Sequence, residues 1–324
     1  MLQKIVYLDQ NIWIYLSQIY YGVKNDTDIS KVCETILKKS DSSELIFPLS
    51  AVHLIETHHI QDNERRERLI EFMLKVSKGY TIIPFNNNRI ETEIRQAIYK
   101  RIGYPTINLR DFVIRKGISG MLGSKPDIEF PRSLNKEQIK QMSDLKHQMV
   151  EWLNSPDALS WIFKHHEIFN KINEKDYSNL INEIEKIRSE YNKVIDKKLR
   201  YKVILLKNYA GVVSPRAMKI CDEIGISEES VFLETWTEED WMNFMKEIPS
   251  FYILFNLSYW SEKNFNRPIK KNDLNDVYSL TISIPYCDIV VCEKMFASIA
   301  KQAKLDEIYP TIIVPSIGEL EHYI

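Results

Sequence analysis

The sequence predicts an α/β protein with a central parallel sheet, interrupted by a large all-helical insertion. Three observations predict it. Over residues 1–84, short apolar runs alternate with amphipathic helical stretches, the signature of parallel α/β winding. The same alternation resumes over residues 272–324. Between them, residues 85–271 carry almost only helical periodicity, and a loop of that length is implausible in a compact domain. The expected organisation is a discontinuous α/β domain, 1–84 plus 272–324, with a helical insertion over 85–271.

The elements follow from the chain in order. Residues 3–8 form an apolar strand that runs into Asp9. Ile12, Tyr15, Leu16, Ile19 and Tyr20 recur at helical spacing, so residues 10–21 predict a helix that Gly22 ends. A second helix over 28–39 buries Ile29, Val32, Ile36 and Leu37. Leu45-Ile46-Phe47 is a short buried strand, and Ser50 caps the helix that carries His53 and Glu56. A helix over 64–78 leads to a third strand, Tyr80 to Pro84. In the insertion, helices are expected over 87–102, 136–153, 156–172, 176–207, 215–224, 237–247 and 249–265. The stretch 117–135, with Gly117, Gly120, Gly123, Pro126 and Pro131, is expected to be a loop. Asn272-Asp273 caps a helix that runs to about Ser283. Residues 288–292 form a fourth strand, 293–304 a helix, 311–314 a fifth strand and 316–324 a last short helix.

Composition narrows the function. Lys plus Arg number 43 against 45 Asp plus Glu, a formal net charge of -2, which argues against a passive nucleic-acid coat protein. It leaves room for an enzyme whose acidic site offsets local basic patches. The run with Lys193, Lys197, Lys198, Arg200, Lys202 and Lys207 is such a patch, although a solvated helix face is the commoner meaning. The 4 cysteines form no CxxC pair and no zinc-spaced array, so reduced, buried thiols in a cytoplasmic protein are expected. The N-terminus lacks a signal-peptide pattern, and no apolar run reaches the length of a membrane span.

The chemistry lies in the acids. Asp9 closes the first strand, Glu56 rides the helix after the second, and Asp276 sits early in a later helix. Asp288 precedes the fourth strand and Glu293 follows it. In a parallel α/β fold, ligands bind where strand ends and helix N-termini open into a crevice. Carboxylates gathered there repel one another and raise each other's pKa unless a hard divalent cation neutralises them. Mg²⁺ or Mn²⁺ prefers such oxygen ligands, orients and deprotonates water, and stabilises charge on a phosphodiester oxygen. Asn11 and Ser50 stand close by in sequence and can hydrogen-bond a carboxylate or a phosphate, or serve as caps. His53, His58 and His59 lack the spacing of a zinc pair and are expected to pack or face solvent. Trp236, Trp241 and Trp260, with Tyr252 and Tyr259, could stack bases but more often form core at such spacing.

These motifs resemble the PIN-domain family of metal-dependent nucleases. The resemblance rests on Tyr7-Leu8-Asp9-Gln10-Asn11, on Leu49 through Glu56, on Asn275-Asp276-Val277 and on Pro285 through Phe296. It covers the two ends of the chain and not the insertion. It implies a three-layer α/β/α fold and hydrolysis of phosphodiester bonds, in RNA more than in DNA. It also implies that Asp9, Glu56 and Asp276 hold Mg²⁺ or Mn²⁺, with Asp288 or Glu293 as the fourth acid. The family usually has a Thr-x-Asp pattern at the end of strand four, where this chain has Cys292-Glu293. A free-standing toxin or a phage-defence effector is the setting the resemblance suggests. The alternative is a catalytically inactive PIN-like scaffold whose helical insertion binds a protein partner or RNA, or mediates self-association.

Overall fold

The computed structural model describes residues 3–123, 136–165, 196–233, 235–262 and 270–324. The first half-domain winds as β1 (Lys4–Leu8), α1 (Gln10–Tyr20), α2 (Thr27–Asp41), β2 (Leu45–Ile46), α3 (Ala51–His58), α4 (Asn63–Ser77) and β3 (Tyr80–Ile82). Local chemistry sets the helix starts. Asp26, Ser50, Asp62 and Asn86 each cap a helix by accepting the amide three residues on. The middle of the chain contributes α5 (Asn87–Ile102), α6 (Leu109–Val113), β4 (Ile114–Lys116), α7 (Gly117–Leu122), α8 (Lys136–Leu153) and α9 (Pro156–Lys164). After these come α10 (Lys197–Asn208), α11 (Ser214–Ile224), α12 (Glu238–Lys246) and α13 (Pro249–Glu262). The chain ends with α14 (Lys271–Ser283), β5 (Ile289–Val291), α15 (Lys294–Gln302), α16 (Leu305–Ile308), β6 (Ile312–Val314) and α17 (Ile317–Leu320).

The main sheet has four parallel strands in the order β2-β1-β5-β6. Its centre joins the two ends of the chain: Val6 pairs with Ile289 and Leu8 with Val291. Alternate residues of β1 face opposite sides, as the pleat requires. Ile5 and Tyr7 enter one core with Ile46, Val290 and Ile313, beneath α5, α13, α14 and α15. Val6 and Leu8 enter a second core with Phe47, Ile289 and Val291, against α1, α2, α4 and α9. Helices therefore cover both faces, and β1 is buried almost along its length.

The stretch 85–271 contributes to both cores: Ile94, Phe244 and Ile253 to the first, Met121, Leu159 and Phe163 to the second. It builds much of the protein's interior rather than a core of its own. A buried pair on α5 shows how it is fastened. Arg89 and Glu93 have no exposed side-chain surface. Arg89 donates to Glu93 at 3.2 Å and to the carbonyls of Ile83 at 2.6 Å and Ile282 at 3.0 Å. Glu93 also accepts from the Ser250 amide at 2.9 Å, the Ser250 hydroxyl at 2.6 Å and the Tyr286 hydroxyl at 2.7 Å. One satisfied network thus ties α5 to α13 and to the C-terminal end of α14.

Several expectations are corrected. The insertion is not all helical, because β4 lies within it and pairs antiparallel with β3. A three-residue strand is too short to show a period, so periodicity could not find it. Among the described residues, β3 meets the parallel side of the fold through a bridge between Leu49 and Thr81. Residues 117–122 form α7 instead of a loop. Its glycines delimit and seat the helix: Gly117 and Gly123 take positive φ at its two ends, and a Cβ on Gly120 would lie 2.1 Å from the Thr81 hydroxyl. The expected helices over 87–102 and 136–153 are found at those bounds. The parts of the expected elements at 124–135, 166–195 and 263–265 lie outside the described residues.

All four cysteines are buried and unpaired. No helix among the described residues is long and apolar enough to cross a membrane.

Candidate metal centre

The end of β1 sets the position of Asp9. Its amide donates to the Val291 carbonyl at 3.0 Å, as the last rung between β1 and β5. Its own carbonyl then accepts from Ile12 at 3.0 Å and Trp13 at 3.2 Å, which starts α1. The Asp9 side chain makes no cap bond to the helix and lines a small crevice with Tyr7, Asp276, Ser279, Cys292 and Phe296. Only 6% of Asp9 is exposed. Burial, the charge of Glu56 and the charge of Glu293 push its carboxyl up from 3.8 to about 7, against a lowering bond from the Gln10 amide.

Three further carboxylates surround it. Asp276, on α14, is pushed up from 3.8 to about 8 by burial and by the charges of Asp9, Glu293, Glu56 and Asp273. Glu56, on α3, is raised by burial and by Glu293, while a hydrogen bond from Asn275 lowers it. That bond, Asn275 Nδ2 to Glu56 Oε1, measures 2.9 Å and joins the two helices that carry Glu56 and Asp276. Glu293 sits at the cap position of α15 and accepts from Asn11 Nδ2 at 2.6 Å. Four acids from separate stretches of sequence therefore share one electrostatic neighbourhood at the C-terminal edge of the sheet. Among the described residues, no three His, Cys, Asp or Glu side chains converge as a ready ligand set. Mutual repulsion of uncompensated carboxylates gives a physical reason for side chains that stand apart.

The fold excludes Asp288 from this group. The residue precedes β5 and lies at the opposite, N-terminal edge; the three residues of β5 separate it from Cys292, a span of roughly 13 Å over four residue steps. Its carboxylate is fully engaged there. It accepts from the Ile5 amide at 2.6 Å and from both Arg110 terminal nitrogens, at 3.0 Å and 2.6 Å. The fourth acid near Asp9 is Glu293. Asp288→Asn is expected to lower stability, because its carboxylate holds the Ile5 amide and the Arg110 guanidinium at once. Thermal melts of the variant check this.

Of the two readings for Ser50, the cap is the one found, and the substrate contact is not. Ser50 has no exposed surface, its hydroxyl shares a hydrogen bond with the Tyr7 hydroxyl at 3.0 Å, and it accepts the His53 amide at 3.3 Å. It is a cap, closed to substrate. Asn11 is exposed and holds Glu293. His53 is 1% exposed and belongs to the interior. Tyr252 is core, whereas Trp236 and Trp241 are half-buried and pack on each other at 4.7 Å and on Phe232. Lys202 of the basic run pairs with Glu238 at 2.7 Å, and Lys193 lies outside the described residues. Sequence reasoning missed Asn275, whose signal was its place beside Asp276 on a helix facing the acids.

The raised carboxyls make a pH prediction for cation-free protein. Unfolded Asp releases its proton near 3.8, whereas folded Asp9 and Asp276 release theirs near 7 and 8. Between those values the folded state holds more protons than the unfolded state, so stability falls as pH rises, and the loss is complete above about 8. For Asp9 the rise corresponds to roughly 4 kcal/mol. In EDTA, the melting temperature is expected to fall from pH 5 to pH 8.5, and Asp276→Asn to flatten the fall. A flat wild-type profile would contradict the cluster.

The chain is thus an α/β protein, mostly helical, with a four-stranded parallel sheet and with Asp9 and Asp276 lining one crevice at its C-terminal edge. No protein-family model, curated protein or solved structure matches it.

Proposed function

We propose that this protein is a metal-dependent nuclease of PIN-like, three-layer α/β/α architecture, which hydrolyses phosphodiester bonds in RNA in preference to DNA. The observation that carries the reading is that Asp9 and Asp276, far apart in sequence, line one crevice, with the charges of Glu56 and Glu293 acting on both. A fold keeps repelling carboxylates together at a cost to its own stability, which a bound cation offsets. The donor set is all oxygen, with no histidine among the acids, and so suits Mg²⁺ or Mn²⁺.

Asp9, Glu56 and Asp276 are the residues that would hold the cation, with Glu293 as the exposed fourth acid. A bound Mg²⁺ or Mn²⁺ supplies an activated water and neutralises charge on the phosphodiester. The chain's own residues prepare the site. Asn275 and Asn11 each fix one carboxylate by an amide hydrogen bond, which limits the orientations of Glu56 and Glu293. Phe296 and Leu280 line the crevice and restrict water around the buried Asp9.

The test is cleavage of labelled single-stranded RNA and single-stranded DNA by the full chain with Mn²⁺, with Mg²⁺ and with EDTA. Cutting that needs the metal, is faster on RNA and is lost in Asp9→Asn supports the proposal. No cutting with either metal, together with no Mn²⁺ binding by calorimetry, overturns it in favour of a PIN-like scaffold.

A further inference from the structure

The strand end that carries Asp9 and the helix that carries Glu56 are bonded to each other at two points. The residues on either side of Asp9 supply one half of each bond. The Leu8 carbonyl accepts from His53 Nε2 at 2.9 Å, and Gln10 Nε2 donates to the Thr57 hydroxyl at 3.0 Å. His53 and Thr57 bracket Glu56 on α3, one a turn before it and the other directly after. Asp9 and Glu56 are thus held between the same pair of hydrogen bonds.

His53 is locked in this role. Its Nδ1 accepts the Ser50 amide at 3.0 Å, which leaves the ring proton on Nε2, facing Leu8. The ring stacks on Tyr7 at 5.1 Å and meets the edge of Trp13 at 6.3 Å, so it has no room to turn. His53 and Thr57 are 1% and 0% exposed. The position is the third of the helix, where a capping box ordinarily has Glu or Gln. A glutamate there would cap Ser50 equally well, but it would offer no donor to Leu8 and would add another carboxylate near Asp9.

We propose that His53 and Thr57 are positioning residues: they fix Asp9 against Glu56 and thereby set the affinity of the site for a hard divalent cation. This rests on the metal-centre reading above. Neither residue is among the acids that would hold the ion. His53 acts through the Leu8 carbonyl and Thr57 through the Gln10 side chain, the two neighbours of Asp9, as groups behind metal ligands do when they orient a site.

The experiment titrates Mn²⁺ by calorimetry into wild type, Thr57→Val, His53→Leu and His53→Gln, each well below its melting temperature and each checked by circular dichroism. Thr57→Val nearly preserves side-chain shape and removes only the hydroxyl; it is expected to fold and to bind Mn²⁺ about tenfold more weakly. His53→Leu is expected to lose about 10–100-fold. His53→Gln keeps an acceptor and a donor, and is expected to recover most of that loss. A purely structural role would lower melting temperatures and leave the affinity of the folded variants unchanged. Folded Thr57→Val with wild-type affinity overturns the proposal, whether or not His53→Leu folds. Wild-type protein that binds no Mn²⁺ overturns the metal-centre reading and this proposal with it, whereas binding that Thr57→Val leaves intact overturns the positioning role alone.

Discussion

Asp9→Asn is expected to lose cleavage by about three orders of magnitude and, in EDTA at pH 8, to melt at a higher temperature than wild type. The two effects share one cause. Asp9 is buried among Glu56, Asp276 and Glu293, and its carboxyl is raised to about 7. At pH 8 its charge is therefore a liability in cation-free protein and, under the proposed function, would be a ligand once a cation binds. The amide has the same shape and no charge, so it relieves the repulsion while removing the ligand. Few substitutions that merely damage a fold raise its stability. Cleavage assays and thermal melts on the same preparation test the pair. Wild-type cleavage would remove Asp9 from the site, and a lower melting temperature in EDTA would show that the acids do not repel.

Glu93→Ala is expected to destabilise the protein by about 3–5 kcal/mol in urea denaturation. Glu93 is fully buried and receives bonds from Arg89, Ser250 and Tyr286. Its loss leaves the Arg89 guanidinium buried without its counter-charge, although the Ile83 and Ile282 carbonyls still accept from it. A replacement of Arg89 and Glu93 together by Met and Leu is expected to recover much of the loss, because removing both charges leaves neither uncompensated. A cost under about 1 kcal/mol for Glu93→Ala would mean that water reaches the pair. The network also bears on the site. Arg89 grips the last turn of α14, the helix that carries Asn275 and Asp276, so cation affinity is expected to fall with the stability of this joint.

Much of the fold was legible in the sequence because its signals are local. The strand into Asp9, the helices over 87–102 and 136–153 and the Ser50 cap follow from apolar period and capping chemistry, which act within a few residues. That Asp9 and Asp276 would meet at one edge was also foreseeable. In a parallel α/β fold every strand delivers its C-terminal end to the same edge, so acids at those ends converge whatever lies between them.

What the sequence could not decide depends on pairing at a distance. Asp288 and Glu293 flank one short strand and look equivalent along the chain. The parallel pairing of β5 with β1 decides which of them shares the edge of Asp9: Asp288 lies at the other edge, held by Arg110, and Glu293 at the same one, held by Asn11. β4 has too few residues to show a period and exists because it meets β3. Ser50 is a hydroxyl near an acid until Tyr7 and His53 enclose it. His53 carries no motif, and only the meeting of α3 with the end of β1 gives its second nitrogen a partner. The sequence by itself determined which residues could be acids of a site, because residue type and local period fix chemistry and secondary structure. The tertiary structure alone decided which of them share a crevice and what holds them there. Contacts across hundreds of residues depend on strand order and helix packing, which no local pattern encodes.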